Sequence, residues 1–201
     1  MTAGGSDGLR RAVAIVALLN LAYFGVEVSV AVAIGSVSLF ADAIDFLEDA
    51  TVNGLILLAL GWSAKRRALV GMALAAILLV PGLATLWTAW EKILVPVPPA
   101  PVPLTLAGLG ALAVNLACAL ILARFRTHSG SLTKAAFLSA RNDALANLAI
   151  IGAGLATAAT LSAWPDDVVG LGIFLLNLDA AREVLEAARA ERRTAAALAE
   201  P

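Results

Sequence analysis

The chain has 201 residues, 61% of them hydrophobic and only 14% charged, with a mean hydropathy of +0.90. That balance excludes an ordinary water-soluble domain and makes the lipid bilayer the expected solvent. A formal net charge of -1 leaves no basic surplus for nucleic acid, and a single cysteine, Cys118, excludes an intramolecular disulfide or a thiolate metal cluster.

Crossing a hydrocarbon core takes about 20 mainly apolar residues. Six stretches qualify: residues 10–33, 38–61, 68–91, 103–125, 135–160 and 166–187. They predict an all-α integral membrane protein with six transmembrane helices. Residues 1–9 form a short leading segment, 10–188 the transmembrane domain and 189–201 a tail rich in Ala, Glu and Arg, read as a helical extension. The first stretch follows Arg10 and Arg11 as a signal peptide would, but it is too long and holds Asn20 and Glu27, so it is read as a retained span. A tight loop, "IGSVS", leads into the second, which contains "ADAIDFLED" at 41–49. "GWSAKRR" (61–67) precedes the third, where Pro81-Gly82 predicts a kink. "PVPPAPVP" (96–103) then leads to the fourth, which carries Cys118 as a small packing residue. "RFRTHSGSLTK" (124–134), with His128 as a solvated loop residue, leads to the fifth, and "SAWPDD" (162–167) to the sixth. Gly108/Gly110, Gly152/Gly154 and Gly170/Gly172 are expected to let helices approach closely.

Orientation follows from the basic residues, which are retained on the cytoplasmic side. Arg10, Arg11, Lys65, Arg66, Arg67, Arg124, Arg126, Lys134, Arg182, Arg189, Arg192 and Arg193 fall on one side if both termini are cytoplasmic. Lys92 then lies outside, and Arg141, within the fifth helix, is read as snorkelling to the cytoplasmic interface, with a buried pairing to Glu27 or Glu48 as the alternative. Trp87, Trp90 and Trp164 gather at outer ends and Trp62 at an inner end, as interfacial anchors do.

Against this background the acids stand out. A carboxylate at the bilayer centre costs about 2.5 to 3.5 kcal/mol even on a lenient insertion scale, so such groups face a partner, a cavity or an ion path. Residues four or seven apart share a helix face, which places Asp42, Asp45 and Asp49 on one stripe with Glu48 on its flank. Asp42 sits close enough to the outer end to reach the headgroup region. Asp45 and Asp49 lie roughly 10 to 16 Å inside the span. In the fifth helix Ser139, Asp143 and Asn147 recur every four residues, and Asn142 points about 100° away from Asp143. The second helix runs inward and the fifth outward, so the two stripes meet near the midplane. Three carboxylates with hydroxyl and amide oxygens make an oxygen-rich, net-negative site that suits a divalent cation.

"GSVSLFADAIDFLEDA" resembles the second-helix pattern of the cation diffusion facilitator family, an ADA triplet followed by a metal ligand and, four residues on, an Asp. "FLSARNDALANLAI" resembles its fifth-helix pattern, and "NLAYFGVE", "VNLACALIL" and "WPDDVVGLGIFLLNL" fit the first, fourth and sixth helices, so the resemblance covers most of the chain. It implies that Asp45, Asp49, Ser139 and Asp143 hold the metal, with Asp42, Glu48, Asn142 and Asn147 as auxiliary candidates. It also implies a homodimer with cytoplasmic termini that exports a divalent transition-metal ion in exchange for protons. Ser139 stands where the family has His or Asp, which removes the nitrogen donor that favours zinc and leaves the metal open. The family's cytoplasmic metal-binding domain is missing from the sequence, so the dimer is expected to form through membrane helices.

The resulting expectation is a multi-pass plasma-membrane efflux transporter with no cofactor, whose substrate is a divalent metal cation. The alternative is a membrane protein that binds metal statically, in a structural or regulatory role. An intramembrane enzyme is not expected, because no nucleophile and base stand at a suitable spacing.

Overall fold

The structure, a computed structural model, describes residues 3–59, 83–124, 131–176 and 178, and every described element is a helix. They are α1 (Ala3–Ile34), α2 (Val37–Ala59), α3 (83–94), α4 (Pro101–Ala123), α5 (Ser131–Thr160) and α6 (164–176). Each expected apolar stretch therefore contains helix. The Pro81-Gly82 kink, Trp62, the Lys65/Arg66/Arg67 cluster, His128 and the tail lie outside the described residues. Among the described residues, three helical segments, Asp7–Ile34, Pro101–Ala123 and Asn142–Thr160, are long and apolar enough to cross a membrane. The acids of α2 keep it apart from these three.

The helix ends have local causes. After α1, Gly35 takes a left-handed φ of 65°, which a residue with a side chain rarely adopts, and the chain reverses within two residues. Ser36 then caps α2, its Oγ accepting from the Leu39 amide at 3.1 Å. α4 opens on Pro101 after an extended Ala100, where a missing amide hydrogen costs nothing and the fixed φ suits the first turn.

α1 packs on α2 and α4 on α5, and the two pairs join through α1 with α4 and α2 with α5. One apolar cluster, near the α1–α2 turn, combines Ala31, Leu39, Ala41, Leu104, Ala107, Ile150 and Ile173. A second, at the opposite end, combines Val16, Cys118, Ala119 and Leu122. Between them on α1, α2, α4 and α5 lies a band of buried polar residues that includes Asn20, Glu27, Asp42, Asn115 and Asn147. Large apolar side chains such as Leu18, Val32, Leu120 and Leu176 cover the outside, a surface suited to lipid. Trp87, Trp90 and Trp164 are exposed with them.

Glycine does what was expected at only some positions. A Cβ on Gly170 would come within 2.7 Å of the Val37 and Ser38 backbone, so α6 presses directly on the start of α2. Gly108 meets Ile150, Gly110 meets Tyr23 and Gly154 meets Thr105. Gly152 and Gly172 have nothing within 4 Å and permit no close approach. Residues two apart on a helix point to roughly opposite sides, so each glycine needs its own neighbour: Gly108 and Gly110 both have one, whereas Gly152 and Gly172 do not.

Asp166, at the start of α6, ties the turn end together. It is 0% exposed. Its Oδ1 accepts from Ser36 Oγ at 2.7 Å, Ser38 Oγ at 2.5 Å and the Ser38 amide at 3.3 Å. Its Oδ2 accepts from the Val37 amide at 2.8 Å and from Lys92 Nζ at 3.2 Å. A carboxylate here meets the positive end of α2 and the free amides of its first turn.

Candidate metal centre

α2 and α5 carry the acids, and the structure brings them to one level. Asp45 interacts electrostatically with Asp143 across the helix pair, and with Asp42, Glu48 and Asp49 along its own helix. Asp45, Asp49 and Asp143 are each partly buried. Asp49 Oδ2 accepts a long bond of 3.4 Å from Asn20 Nδ2 on α1, and Asn20 Oδ1 in turn accepts from Cys118 Sγ on α4 at 3.6 Å. Cys118 interacts electrostatically with both Asp49 and Asp143. Four helices thus contribute to this level. Glu48 is partly buried and interacts with Asp49. Asn142 is exposed, as its angular offset from Asp143 predicts. The side chain of Ser139 lies outside the described ones, as does that of Arg141. Among the described residues, no three acidic, cysteine or histidine groups close on one point at metal-ligand distance.

Asp42, expected close to the outer end of its helix, is 0% exposed. α2 begins at Val37, so Asp42 lies in its second turn, where α1 and α5 cover it. Asp42 Oδ2 accepts from Asn147 Nδ2 at 2.6 Å, and Asn147 Oδ1 accepts from Asn115 Nδ2 at 3.0 Å. Asn147 therefore turns its nitrogen toward Asp42 and keeps its oxygen for α4. Glu27, also 0% exposed, lies beside Asp42 within hydrogen-bonding reach, and neither of its carboxylate oxygens has a donor from a third residue. The stripe on α2 is thus divided. Asp42 belongs to a level with Glu27 and Asn147, while Asp45 and Asp49 belong to the level of Asp143.

The sequence reading did not assign roles to Asn53, Asn115 or Asp166, and gave Asn20 and Cys118 none at the site. Each Asn was legible as a lone amide inside an apolar run, a group that must find a partner in a membrane. Asn53 Nδ2 reaches the Asp49 backbone carbonyl at 2.8 Å, one turn back along α2.

A family model described as the cation efflux transmembrane domain matches residues 13–191, nearly the whole chain. No curated protein matches it significantly.

Proposed function

The chain belongs to the cation efflux family, and from that premise we propose that it exports a divalent transition-metal cation through the level formed by Asp45, Asp49 and Asp143. The observation that carries this reading is the approach of Asp45 on α2 to Asp143 on α5, inside a polar band enclosed by two apolar clusters. Like charges are brought together there away from bulk water, an arrangement that a dication stabilises. Ser139, one turn from Asp143 on α5, would supply a neutral oxygen.

In this reading six helices span the membrane with both termini in the cytoplasm, so that the α1–α2 turn, Lys92 and Asp166 lie at the outer end. The protein works as a homodimer joined through membrane helices, in the plasma membrane. It is a transporter and not an enzyme. A cation enters from the cytoplasm, the helices rock to expose the site outward, and protons from outside displace it, because proton and metal compete for the same oxygens. Cys118 and Asn20 border the site and hold Asp49 in place.

The test is metal uptake into inside-out vesicles containing the purified chain, with zinc, cadmium, cobalt, nickel, manganese and iron(II) under an opposing pH gradient. Saturable uptake that the gradient accelerates, and that Asp49→Ala and Asp143→Ala abolish without loss of insertion, is the expected result. Undiminished flux in those variants overturns the site. Metal binding without flux in the wild type would instead favour the static reading.

A further inference from the structure

We propose that Glu27 and Asp42 form a second cation station, distinct from the Asp45/Asp49/Asp143 level, at which one cation is held between two buried carboxylates. The ligand chemistry is a cation accepted by carboxylate oxygens, and a proton and a metal ion both meet it.

The argument starts from the donors. Glu27 and Asp42 are each 0% exposed, and they stand side by side on α1 and α2. Three of their four oxygens, Glu27 Oε1, Glu27 Oε2 and Asp42 Oδ1, have no donor from a third residue, and the two carboxyl groups stand within hydrogen-bonding reach of each other. Only Asp42 Oδ2 is satisfied, by Asn147. Among the described residues, the neighbouring groups do not supply the missing charge. On α1, the Tyr23 hydroxyl donates to the Ala107 carbonyl at 2.6 Å. On α2 the next ionisable group is Asp45, which adds negative charge. Among the described side chains, α4 and α5 bring the amides of Asn115 and Asn147, already paired with each other. Lys92 is engaged by Asp166. Two uncompensated carboxylates in a dry interior are too costly to leave unpaired. What the pair lacks is a cation.

Position gives the station a use, which rests on the transport reading above. Asp42 is three residues nearer the α1–α2 turn than Asp45, about 4.5 Å along the helix. Glu27 also interacts electrostatically with Asp45. Occupancy of the station therefore alters the field at the transport level. Asn147, one turn from Asp143, carries the same connection through α5. A cation at the station would weaken the hold of the inner carboxylates on a second one and help release it.

Purified full-length chain in lipid nanodiscs tests this without transport. Equilibrium dialysis with manganese or zinc is run on wild type, Asp49→Ala, Glu27→Gln and Asp42→Asn. In parallel, infrared spectra of the metal-free proteins in H2O and D2O report any protonated carboxyl group. If the cation is a metal, one bound equivalent survives Asp49→Ala and disappears in Glu27→Gln. If it is a proton, the wild type shows a protonated-carboxyl band that Glu27→Gln and Asp42→Asn each remove, with metal stoichiometry unchanged. The proposal is overturned if the wild type shows neither an Asp49-independent equivalent nor such a band, or if both signals persist in Glu27→Gln and Asp42→Asn. The wild-type and Asp49→Ala measurements decide against it even where a Glu27 variant fails to insert. Vesicle uptake with no station signal would refute the station alone, and a station signal with no uptake of any ion would refute the transport reading alone.

Discussion

Asp166→Ala is expected to be among the most destabilising single changes in the described structure. The substitution strips a buried carboxylate from five donors: Ser36 Oγ, Ser38 Oγ, the Val37 and Ser38 amides, and Lys92 Nζ. Breaking a buried ion pair by removing one member costs about 3 to 5 kcal/mol, because the other charge stays behind without compensation. Lys92 is only 8% exposed, so its ammonium cannot easily turn to water. The first-turn amides of α2 lose their acceptor as well, so the upper part of that range applies, roughly two to four powers of ten in the folding equilibrium. Asp166→Asn keeps an oxygen for the serines and should cost about half as much. Lys92→Met leaves the carboxylate four of its donors and should cost about 1 to 2 kcal/mol. The double variant Asp166→Ala/Lys92→Met should then be no worse than Asp166→Ala alone, since the stranded ammonium is gone. Denaturant unfolding in detergent micelles, followed by tryptophan fluorescence, measures all four. A loss below about 0.5 kcal/mol for Asp166→Ala, or strict additivity in the double variant, would refute the argument.

Two further outcomes follow from packing and pairing. Gly170→Ala should destabilise by about 1 to 3 kcal/mol, since its Cβ meets the Val37 and Ser38 backbone, which cannot swing aside as a side chain can. Gly152→Ala, with open space around it, should be neutral or stabilise by up to about 1 kcal/mol through helix propensity; equal effects in the same unfolding assay would remove the close-approach account of α6 on α2. Asn147→Leu takes the one described donor from Asp42 and leaves Asn115 Nδ2 without its acceptor. It should cost about 2 to 4 kcal/mol, and adding Asp42→Leu should restore a good part of that. A double variant as unstable as the single one would show that the Asn147–Asp42 bond is not what the loss measures.

The helical, membrane-embedded character of the chain was legible because hydropathy and helix length depend on composition averaged over a long window, which a single sequence supplies. The meeting of α2 and α5 was legible for a related reason: a four-residue period fixes a face, and the opposite run of the two helices fixes a level. What escaped was which groups share a hydrogen bond. Asp42 lies on the same stripe as Asp45 and Asp49, and periodicity alone could not show that Glu27 and Asn147 draw it into a separate level. Asp166 escaped because its partners lie about 130 residues away in sequence, and a helix N-terminus advertises its need for an acceptor without naming the residue that supplies it. The paired glycines were misread at two of the six positions, Gly152 and Gly172, because residues two apart point to roughly opposite sides of a helix and each needs a neighbour of its own.

Asp166 and Asp42 show how one residue type serves opposite ends within a single fold. Both are 0% exposed. Asp166 collects five donors, one of them an ammonium, and its charge is compensated by the protein itself; such a group fixes helices and has nothing left to bind. Asp42 receives one neutral amide and faces another carboxylate. An amide can orient a carboxylate without cancelling its charge, whereas a lysine or arginine at the same place would do both. Two carboxylates of the described polar band follow that rule: Asn20 reaches Asp49, Asn147 reaches Asp42, and Asn115 steadies Asn147. Carboxylates held by amides keep their demand for a cation. The positive charge that the band withholds is the one a cation carrier must take from its substrate or from a proton, and that physical need links the arrangement of these asparagines to efflux.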